Sequence, residues 1–354
     1  MFFGIAKNRI LRFSLSMAKR FRKSQKTPRR RSRKLRPSHL LISLFVIVAL
    51  VAGTKLAHYF GDAQTRERIE RGTAFVIDFA RESSLLPDEA VFWLDELALY
   101  LPFVYGNAIE PGTTLETTEL TLAGTPIAEQ RLTLLENDGY LVGYDESRGN
   151  PAWCAYKIFP PQRTEAPERP ENFETDYRTR ARVPTEAYVR SGYDRGHMAP
   201  NHAIALCYGE SAQKETFLMS NIVPQKHGLN AGIWKALEQR LIKRYTRNFG
   251  DIWVLCGPVY TEVPLKRLAG TSRRGILPAV PDAFFLIVTD REEHSGALRT
   301  LAFIVPHGDN PKNNPKLYLT SIDSIEEKTG LDFFSLLDEN VQSALETPVA
   351  KTIW

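Results

Sequence analysis

The segment from Tyr193 to Asn201 concentrates side chains that can act on a phosphate ester. Arg195 and His197 are two residues apart, so in an extended segment both would point to the same side. Histidine is a natural general base near neutral pH, and arginine can bind phosphate oxygens with two parallel hydrogen bonds. This pair predicts a site for phosphodiester hydrolysis.

The neighbours of this pair are expected to support the site rather than to react. Asp194 should hold the loop, and Gly196 should supply backbone freedom. Other histidines lack comparable neighbours and are expected in the core or on the surface; they are His202, His227, His294 and His307.

A second segment, residues 229–241, has the periodicity of a helix. Its apolar stripe is formed by Ile233, Leu237 and Leu241. Asn230 opens this segment, and Glu238 follows eight residues later, about 12 Å along a helix axis. That distance is too long for both to bind one ion directly, and Mg²⁺ needs only one or two protein oxygens. We predict Asn230 as the direct metal ligand and Glu238 as the residue that holds the metal's water molecules.

These two segments resemble the DNA/RNA non-specific endonuclease family, which includes Serratia-type nucleases and endonuclease G and has the ββα-metal fold. The resemblance extends to an opening hairpin, a central strand and a closing helix, all in the family's order. The matching stretches are 137–144, 150–153, 194–197, 220–225, 230–238, 254–259 and 321–334. The resemblance covers roughly residues 130–340.

The resemblance implies a metal-dependent endonuclease that cleaves DNA, RNA or both and leaves 5′-phosphorylated products. His197 would be the general base that activates water. Asn230 would bind a single Mg²⁺, for which Mn²⁺ can substitute, and Glu238 would orient the water molecules around the metal.

Further residues receive roles from the same resemblance. Arg195 would contact phosphate, and Asn221 would lie at the site and help to order it. Arg148 is the nearest match to an arginine that contacts substrate ahead of the family's third strand. The chain departs from the family at Leu286, where a lysine is common. Relatives often form dimers, so a homodimer is a candidate assembly.

The charge of the chain is unevenly distributed. Residues 1–61 contain 15 of the 46 Lys and Arg and none of the 41 Asp and Glu, so residues 62–354 carry 31 basic and 41 acidic side chains. The pI of the whole chain, about 9.0, is therefore high because of its basic N-terminal segment. Residues 62–354 have a formal charge of −10. To bind a polyanion, they would need a local basic patch and a bound cation.

The N-terminal region predicts membrane targeting. A basic tail at 1–37 precedes an apolar stretch at 38–60. Basic residues before such a stretch favour a cytoplasmic N-terminus and an exported body. We predict a transmembrane signal anchor, with the nuclease domain in the periplasm or at the cell surface. A cleaved signal peptide followed by secretion and a mitochondrial presequence are the alternatives.

Between the anchor and the main domain, helical periodicity predicts helices at 64–82 and 87–101. They would form a helical stalk or cap over residues 61–110. A threonine-rich loop follows, and we place the main domain at 111–345.

The chain contains three cysteines, Cys154, Cys207 and Cys256, each among apolar or aromatic neighbours. No pair has CxxC spacing, which argues against a thiolate zinc site. We predict buried thiols, with one disulfide and one free thiol as the alternative.

Alternating apolar residues flank the turn at Asn137-Asp138-Gly139, which is a strong hairpin signal. Further strands are expected at 152–159, 252–256, 283–288 and 301–305. Residues 160–185 are rich in proline and arginine and are expected to form an exposed loop that feeds the site. The irregular alternation of strands and helices predicts an α+β domain around a mostly antiparallel sheet.

Two other functions stay open at this point. The acidic body would repel a long polyanion outside the immediate cleft, which favours an enzyme of the same fold that acts on a smaller phosphodiester or nucleotide. The other is a non-catalytic, membrane-anchored protein that binds nucleic acid. Such a protein has no need of a general base together with a metal ligand.

Overall fold

The computed structural model describes residues 106–161, 163–269, 276–292 and 294–354, and a few isolated helical positions between residues 53 and 73. The predicted basic tail at 1–37 and the predicted helix at 87–101 lie outside these residues. So do most of the predicted anchor at 38–60 and most of the predicted helix at 64–82. Among the residues that are described, no helix has the length and apolar character needed to cross a bilayer.

Twelve strands run through the described residues. They are β1 (Asn107–Ile109), β2 (Ile127–Ala128), β3 (Leu132–Asn137), β4 (Tyr140–Asp145), β5 (Asn150–Ile158), β6 (Asp194–His197), β7 (Ile222–Gln225), β8 (Ile252–Val259), β9 (Ala283–Arg291), β10 (Leu298–Pro306), β11 (Leu319–Thr320) and β12 (Leu331–Asp332). Eight of them form one antiparallel sheet in the order β1-β3-β4-β5-β8-β9-β10-β11. The pairs β6–β7 and β2–β12 form two separate ribbons. The predicted mixed fold around an antiparallel sheet is confirmed.

The helices of the described residues are short. They are α1 (Asn201–Tyr208), α2 (Glu210–Glu215), α3 (Lys235–Arg240), α4 (Thr246–Phe249), α5 (Ile322–Thr329) and α6 (Glu339–Glu346). The predicted helix at 229–241 is present but irregular, because π-helical turns at Leu229–Trp234 and Leu241–Tyr245 flank α3. The first of these turns is kinked at Gly232, whose backbone is non-helical (φ −97°, ψ −110°). Such wide turns are frequent at functional sites, and the first of them carries Asn230.

The predicted hairpin is confirmed. Asn137 pairs with Tyr140, which leaves Asp138 and Gly139 as the turn between β3 and β4. Gly139 has a φ of 86°, a left-handed conformation that glycine adopts at no steric cost. The hairpin starts the run of antiparallel neighbours β3, β4 and β5. At the sheet edge, β1 lies just before the predicted domain start and pairs with β3.

The sheet is buried on both faces. Along β5, Cys154 and Tyr156 pack into one core cluster, which also contains side chains of α1 and α3. Trp153 and Ala155 pack into a second cluster, which contains side chains of α5. This alternation follows the two-residue period of a strand. The sheet is the middle layer of the fold, and the three cysteines are buried and free, as predicted.

Candidate active site

The segment that carries Arg195 and His197 forms strand β6, paired with β7. In this ribbon Asp194 lies opposite Gln225. At Gly196 a β-carbon would lie 2.2 Å from the side chain of Gln225, which is fully buried. The sequence assigned Gly196 only backbone freedom. The structure adds a steric reason, because the ribbon has no room for a side chain at this position.

His197 lies in an aromatic pocket. Its ring centroid is 5.5 Å from that of Phe173 and 5.2 Å from that of Phe217. Its Nε2 is buried and has no hydrogen-bond partner within the described part of the chain. Burial, together with the positive charge of Arg169, lowers the pKa of His197 to about 3. The imidazole is therefore neutral at physiological pH, and its Nε2 is a hydrogen-bonding atom that no described residue pairs with.

Arg195 points to the same side of β6 as His197, as the spacing predicts. Its guanidinium carbon lies 5.4 Å from the ring centre of Phe173, which also contacts His197, and 5.8 Å from that of Tyr188. Its Nη2 donates a hydrogen bond to the carbonyl oxygen of Thr185 at 2.8 Å. These contacts hold the guanidinium beside the histidine pocket and leave some of its donors for an anion.

Asp194 connects β6 to the segment that carries Asn230. Its Oδ2 accepts hydrogen bonds from Nδ2 of Asn230 at 3.0 Å and from Nδ1 of His227 at 2.8 Å. Because a carboxylate only accepts hydrogen bonds, the amide nitrogen of Asn230 is fixed toward Asp194. Among the described contacts, the amide Oδ1 of Asn230 has no partner. Asp194 therefore does more than hold a loop, because it orients the predicted metal ligand.

Glu238 lies on α3, eight residues after Asn230. Burial raises the pKa of its carboxyl to about 8, and the neighbouring Trp234 and Lys235 act in the opposite direction but offset this only in part. The carboxylate of Glu238 and Oδ1 of Asn230 are both oxygen donors of the kind that a hard divalent cation such as Mg²⁺ prefers.

Asn221 is fully buried and its amide bonds to backbone groups. Its Oδ1 accepts from the N–H of Ala199 at 2.8 Å, and its Nδ2 donates to the carbonyl oxygens of Ala199 and Thr216, both at 3.0 Å. These bonds fix the chain just after β6 to the turn that leads into β7. The geometry fits the ordering role that the sequence predicts for Asn221.

A further loop braces the backbone before Asn230. Nε2 of His307 accepts a hydrogen bond from the backbone N–H of Lys226 at 2.8 Å. At Gly228 a β-carbon would lie 1.5 Å from the carbonyl oxygen of Asp309, so no larger residue fits without a shift of the backbone. His307, expected only in the core or on the surface, thus helps to place the metal-ligand segment.

Arg148 lies at the turn between β4 and β5. Its Nε is 3.3 Å from Oδ2 of Asp145, and its guanidinium carbon is 4.8 Å from the ring centre of Tyr260. Among the described contacts, none joins Arg148 to His197 or Asn230. Contacts with β6 and the residue pair after it connect Asn221 and Asn230 to the strand that carries Arg195 and His197. Glu238 has no described contact with these residues, and Arg148 lies in a separate cluster.

Residues 117–340 match the family model for DNA/RNA non-specific endonucleases, which is more than half of the chain. The chain belongs to this family. The match confirms the resemblance predicted for residues 130–340 and extends it at the N-terminal side.

Individual members of the endonuclease family align over this region. The mitochondrial nuclease EXOG of Danio rerio is 30% identical over 220 residues, which are 59% of this chain and 62% of that protein. Human mitochondrial endonuclease G is 29% identical over 225 residues, 61% of this chain and 73% of that protein. The nuclease of Serratia marcescens is 26% identical over 245 residues, 66% of this chain and 87% of that protein. The match to the Danio rerio nuclease thus spans about three fifths of its length.

The fold is shared with a solved structure. A chain in the crystal structure of the EndoG/EndoGI complex, which concerns the mechanism of EndoG inhibition, aligns with a TM-score of 0.52 and 24% sequence identity. The alignment covers 58% of this chain and 86% of that chain. This likeness shows a shared fold over that part of the chain.

Arg169, which no sequence pattern singled out, also lies beside the His197 pocket of this endonuclease-family chain. It is exposed, and its guanidinium carbon lies 5.1 Å from the ring centre of Phe217, which lines the His197 pocket. Residues 160–185 were expected to be an exposed loop that feeds the site. That expectation is only partly right, because Phe173 packs on His197 and Asp176 is buried. The arginine-rich composition was the available signal, but only the packing on Phe217 selects Arg169.

Proposed function

We propose that the chain is a Mg²⁺-dependent endonuclease that hydrolyses phosphodiester bonds of DNA, RNA or both. The observation that carries the proposal is the pocket of His197. It holds a neutral imidazole with a buried, unpartnered Nε2, and two arginines, Arg169 and Arg195, share the aromatic rings that line it. A binding protein has no use for such a nitrogen, whereas a hydrolase needs it to take a proton from water.

In the proposed reaction His197 accepts a proton from the attacking water molecule. Its lowered pKa keeps the imidazole unprotonated, and Phe173 and Phe217 limit the access of bulk water to the ring. The water oxygen forms a bond to phosphorus while the bond to O3′ breaks, and O3′ leaves with the bonding electron pair and takes a proton from water. The phosphate stays on the 5′ end of the product.

The phosphate would be held by Arg195 and Arg169. Arg195 is fixed between aromatic rings beside the base, and Arg169 is exposed at the rim of the same pocket. An arginine offers two parallel hydrogen bonds to phosphate oxygens. We assign this second contact to Arg169 in preference to Arg148, which is tied to Asp145 and Tyr260.

The residues present fit a divalent cation. Oδ1 of Asn230 would bind Mg²⁺ directly, and Glu238 would accept hydrogen bonds from its water molecules. When bound, the cation offsets the charge of the phosphate and of the leaving oxygen. Asp194 keeps the amide of Asn230 in the binding orientation, and Asn221 keeps the backbone after β6 in place. Mn²⁺ would substitute because it accepts the same oxygen donors.

A phosphodiesterase that acts on small nucleotides is the second candidate. The net charge of −10 on residues 62–354 favours it, because a long polyanion is repelled by an acidic surface. A non-catalytic, membrane-anchored protein that binds nucleic acid is the third, but it leaves the His197 pocket without a purpose.

For location, we propose the arrangement that the sequence predicts, with residues 38–60 as a membrane anchor and the nuclease domain outside the cytoplasm. Two of the relatives, from Danio rerio and Homo sapiens, are named as mitochondrial proteins, which supports the mitochondrial alternative. A homodimer is the assembly that we propose by analogy with the family.

Cleavage assays with plasmid DNA, single-stranded RNA and a dinucleotide test the proposal on the full chain. We expect Mg²⁺-dependent nicking of the plasmid and cleavage of the RNA, both abolished by EDTA. Hydrolysis of the dinucleotide without plasmid nicking would favour the second candidate. Tight DNA binding without cleavage, with every divalent metal tried, would contradict both hydrolase proposals.

A further inference from the structure

Three carboxylates meet away from the candidate active site, where helix α6 packs against α5. Asp323 and Glu326 lie on α5, and Glu346 is the last residue of α6. One oxygen from each of the three lies within 4.8 Å of the others. Asp323 and Glu326 are three residues apart, so they share one face of α5. The cluster therefore joins two helices that are separate in the sequence.

Glu346 is the unusual member of this cluster. Only 6% of the residue is exposed, and its Oε1 is buried without a hydrogen-bond partner among the described residues. Glutamate is almost never fully buried unless it is paired, and an unpaired buried carboxylate oxygen carries a large desolvation cost. This buried carboxyl group places one of its oxygens within 4.8 Å of an oxygen from each of two other carboxylates.

The surrounding polar groups do not pair with that oxygen. Oε1 of Glu326 accepts from the backbone N–H of Phe333 at 2.8 Å. Nε2 of Gln342 donates to Oδ1 of Asp332 at 3.1 Å and to the carbonyl oxygen of Phe333 at 2.9 Å. Gln342 also interacts with the Glu346 carboxyl group, but Oε1 of Glu346 keeps no hydrogen-bond partner among the described residues.

The nearby carboxylates add further negative charge around Glu346. Burial, followed by the negative charges of Glu326, Asp332 and Asp323, raises the pKa of Glu346 to about 8, and only Gln342 acts in the opposite direction. A divalent cation among these oxygens would offset the negative charges that the cluster brings together.

We propose that Asp323, Glu326 and Glu346 bind a divalent cation, with Ca²⁺ as the best match. Ca²⁺ binds oxygens at about 2.3–2.6 Å, so oxygens on one ion lie at most about 5 Å apart, which agrees with the observed cluster. Ca²⁺ also accepts irregular geometry and completes its shell with water, which the exposed Asp323 admits. This site is distinct from the oxygen donors of Asn230 and Glu238.

A cation at this position would link the C-terminal helix α6 to helix α5. Other described polar contacts of α6 are few: Gln342 bonds to the β12 region, and the hydroxyl of Thr300 donates to the carbonyl oxygen of Leu345 at 3.1 Å. Ligands from both α5 and α6 make the stability of this contact depend on the ion. The site is therefore structural, and it is independent of the nuclease activity.

The test uses the full chain with Asn230→Ala, which removes the proposed direct ligand of the active-site metal. Thermal unfolding is followed in EDTA and in 10 mM Ca²⁺, and Ca²⁺ binding is measured by calorimetry. If the dissociation constant is about 0.1 mM, Ca²⁺ should raise the Tm by about 5 °C. Adding Glu346→Gln should abolish this shift and the binding heat, while the chain with Glu346→Gln stays folded in EDTA because a neutral amide replaces the buried acid.

The matched control is Glu327→Gln, which removes the same charge from an exposed position on α5. This variant should keep the full Ca²⁺ shift. A Ca²⁺ shift that survives Glu346→Gln would overturn the proposal. So would calorimetry that shows no binding of Ca²⁺ up to 10 mM.

Discussion

Phe173 sets the position of two reactive side chains at once. Its ring contacts the imidazole of His197 and the guanidinium of Arg195, with centroid distances of 5.5 Å and 5.4 Å. The imidazole and the guanidinium thus contact one apolar ring instead of bonding to each other. This arrangement leaves Nε2 of His197 without a hydrogen-bond partner among the described residues, as the proposed role of general base requires.

The hydrogen bond from Asn230 to Asp194 should control the affinity for the metal. In Asp194→Ala the amide of Asn230 loses the acceptor that fixes its orientation. We expect the Mg²⁺ concentration for half-maximal plasmid cleavage to rise about 10- to 100-fold. Asp194→Asn should restore part of the affinity, because its carbonyl oxygen can still accept the bond. An unchanged Mg²⁺ dependence in Asp194→Ala would show that Asp194 does not orient the ligand.

The buried imidazole of His197 should make folding sensitive to acid. The folded-state pKa is lowered from 6.5 to about 3, so between these values the unfolded chain binds a proton that the folded chain does not. Stability contributed by the neutral ring is therefore present above pH 6.5 and is lost as the pH falls. Between pH 7 and pH 5 the loss should be about 2 kcal/mol.

Urea unfolding in EDTA, repeated with His197→Gln, isolates this contribution. Between pH 7 and pH 5, the unfolding free energy of the variant should fall by about 2 kcal/mol less than that of the wild type. Equal losses in the two proteins would mean that His197 titrates in the folded protein as it does in the unfolded chain.

At the level of secondary structure, two elements position the site: the ribbon β6–β7 and the π-helical turn at Leu229–Trp234. The ribbon needs glycine at position 196, because the Gln225 side chain occupies the space of a β-carbon. Gly196→Ala should therefore destabilise the protein by about 1–3 kcal/mol and reduce cleavage. Gly308→Ala, at a position with nothing within 4 Å, should change neither.

Shortening the opposing side chain gives a second comparison for the ribbon. Unfolding free energies of Gly196→Ala, Gln225→Ala and the double variant form a cycle. The double variant should be more stable than the sum of the two changes predicts, because removal of the carboxamide makes room for the new methyl group. Strict additivity would contradict a steric clash at this position.

The sequence predicted those elements that depend on local patterns. The turn at Asp138-Gly139 and the strands of the sheet follow from alternation and turn chemistry, and they are present. The π-helical form of the Asn230 segment could not be predicted, because its apolar residues also fit an ordinary helical period. The structure alone shows that this turn carries Asn230.

The histidine pocket could be predicted only in part. His197 and Arg195 stand close in the sequence, and their shared side of β6 follows from strand geometry. Phe173 and Phe217 lie on either side of this segment and reach it through tertiary packing, so no local pattern reveals them. The same packing singles out Arg169 from the other arginines of its loop.

At the scale of the whole molecule, residues 62–354 have a formal charge of −10, so the proposed nucleic-acid substrate would need a basic contact at the rim of the His197 pocket. Arg169 is exposed at that rim, so it should provide an electrostatic contact to phosphate. In Arg169→Gln, kcat/KM for plasmid should fall, and the slope of its logarithm against the logarithm of salt concentration should weaken by about 1. Arg131→Gln, which removes an exposed arginine paired with Glu110, should keep the wild-type slope. Equal slopes in both variants would remove Arg169 from the substrate site.

Single-turnover cleavage of plasmid DNA in Mg²⁺ by the wild type, His197→Ala and His202→Ala tests the central claim most directly. His202 is an exposed histidine at the start of α1 and serves as the control. Loss of the general base should slow His197→Ala by at least about 100-fold, with its fold intact by circular dichroism, while His202→Ala cleaves at the wild-type rate. If a folded His197→Ala protein cleaves plasmid as fast as the wild type, His197 is not the base and the proposed mechanism is wrong.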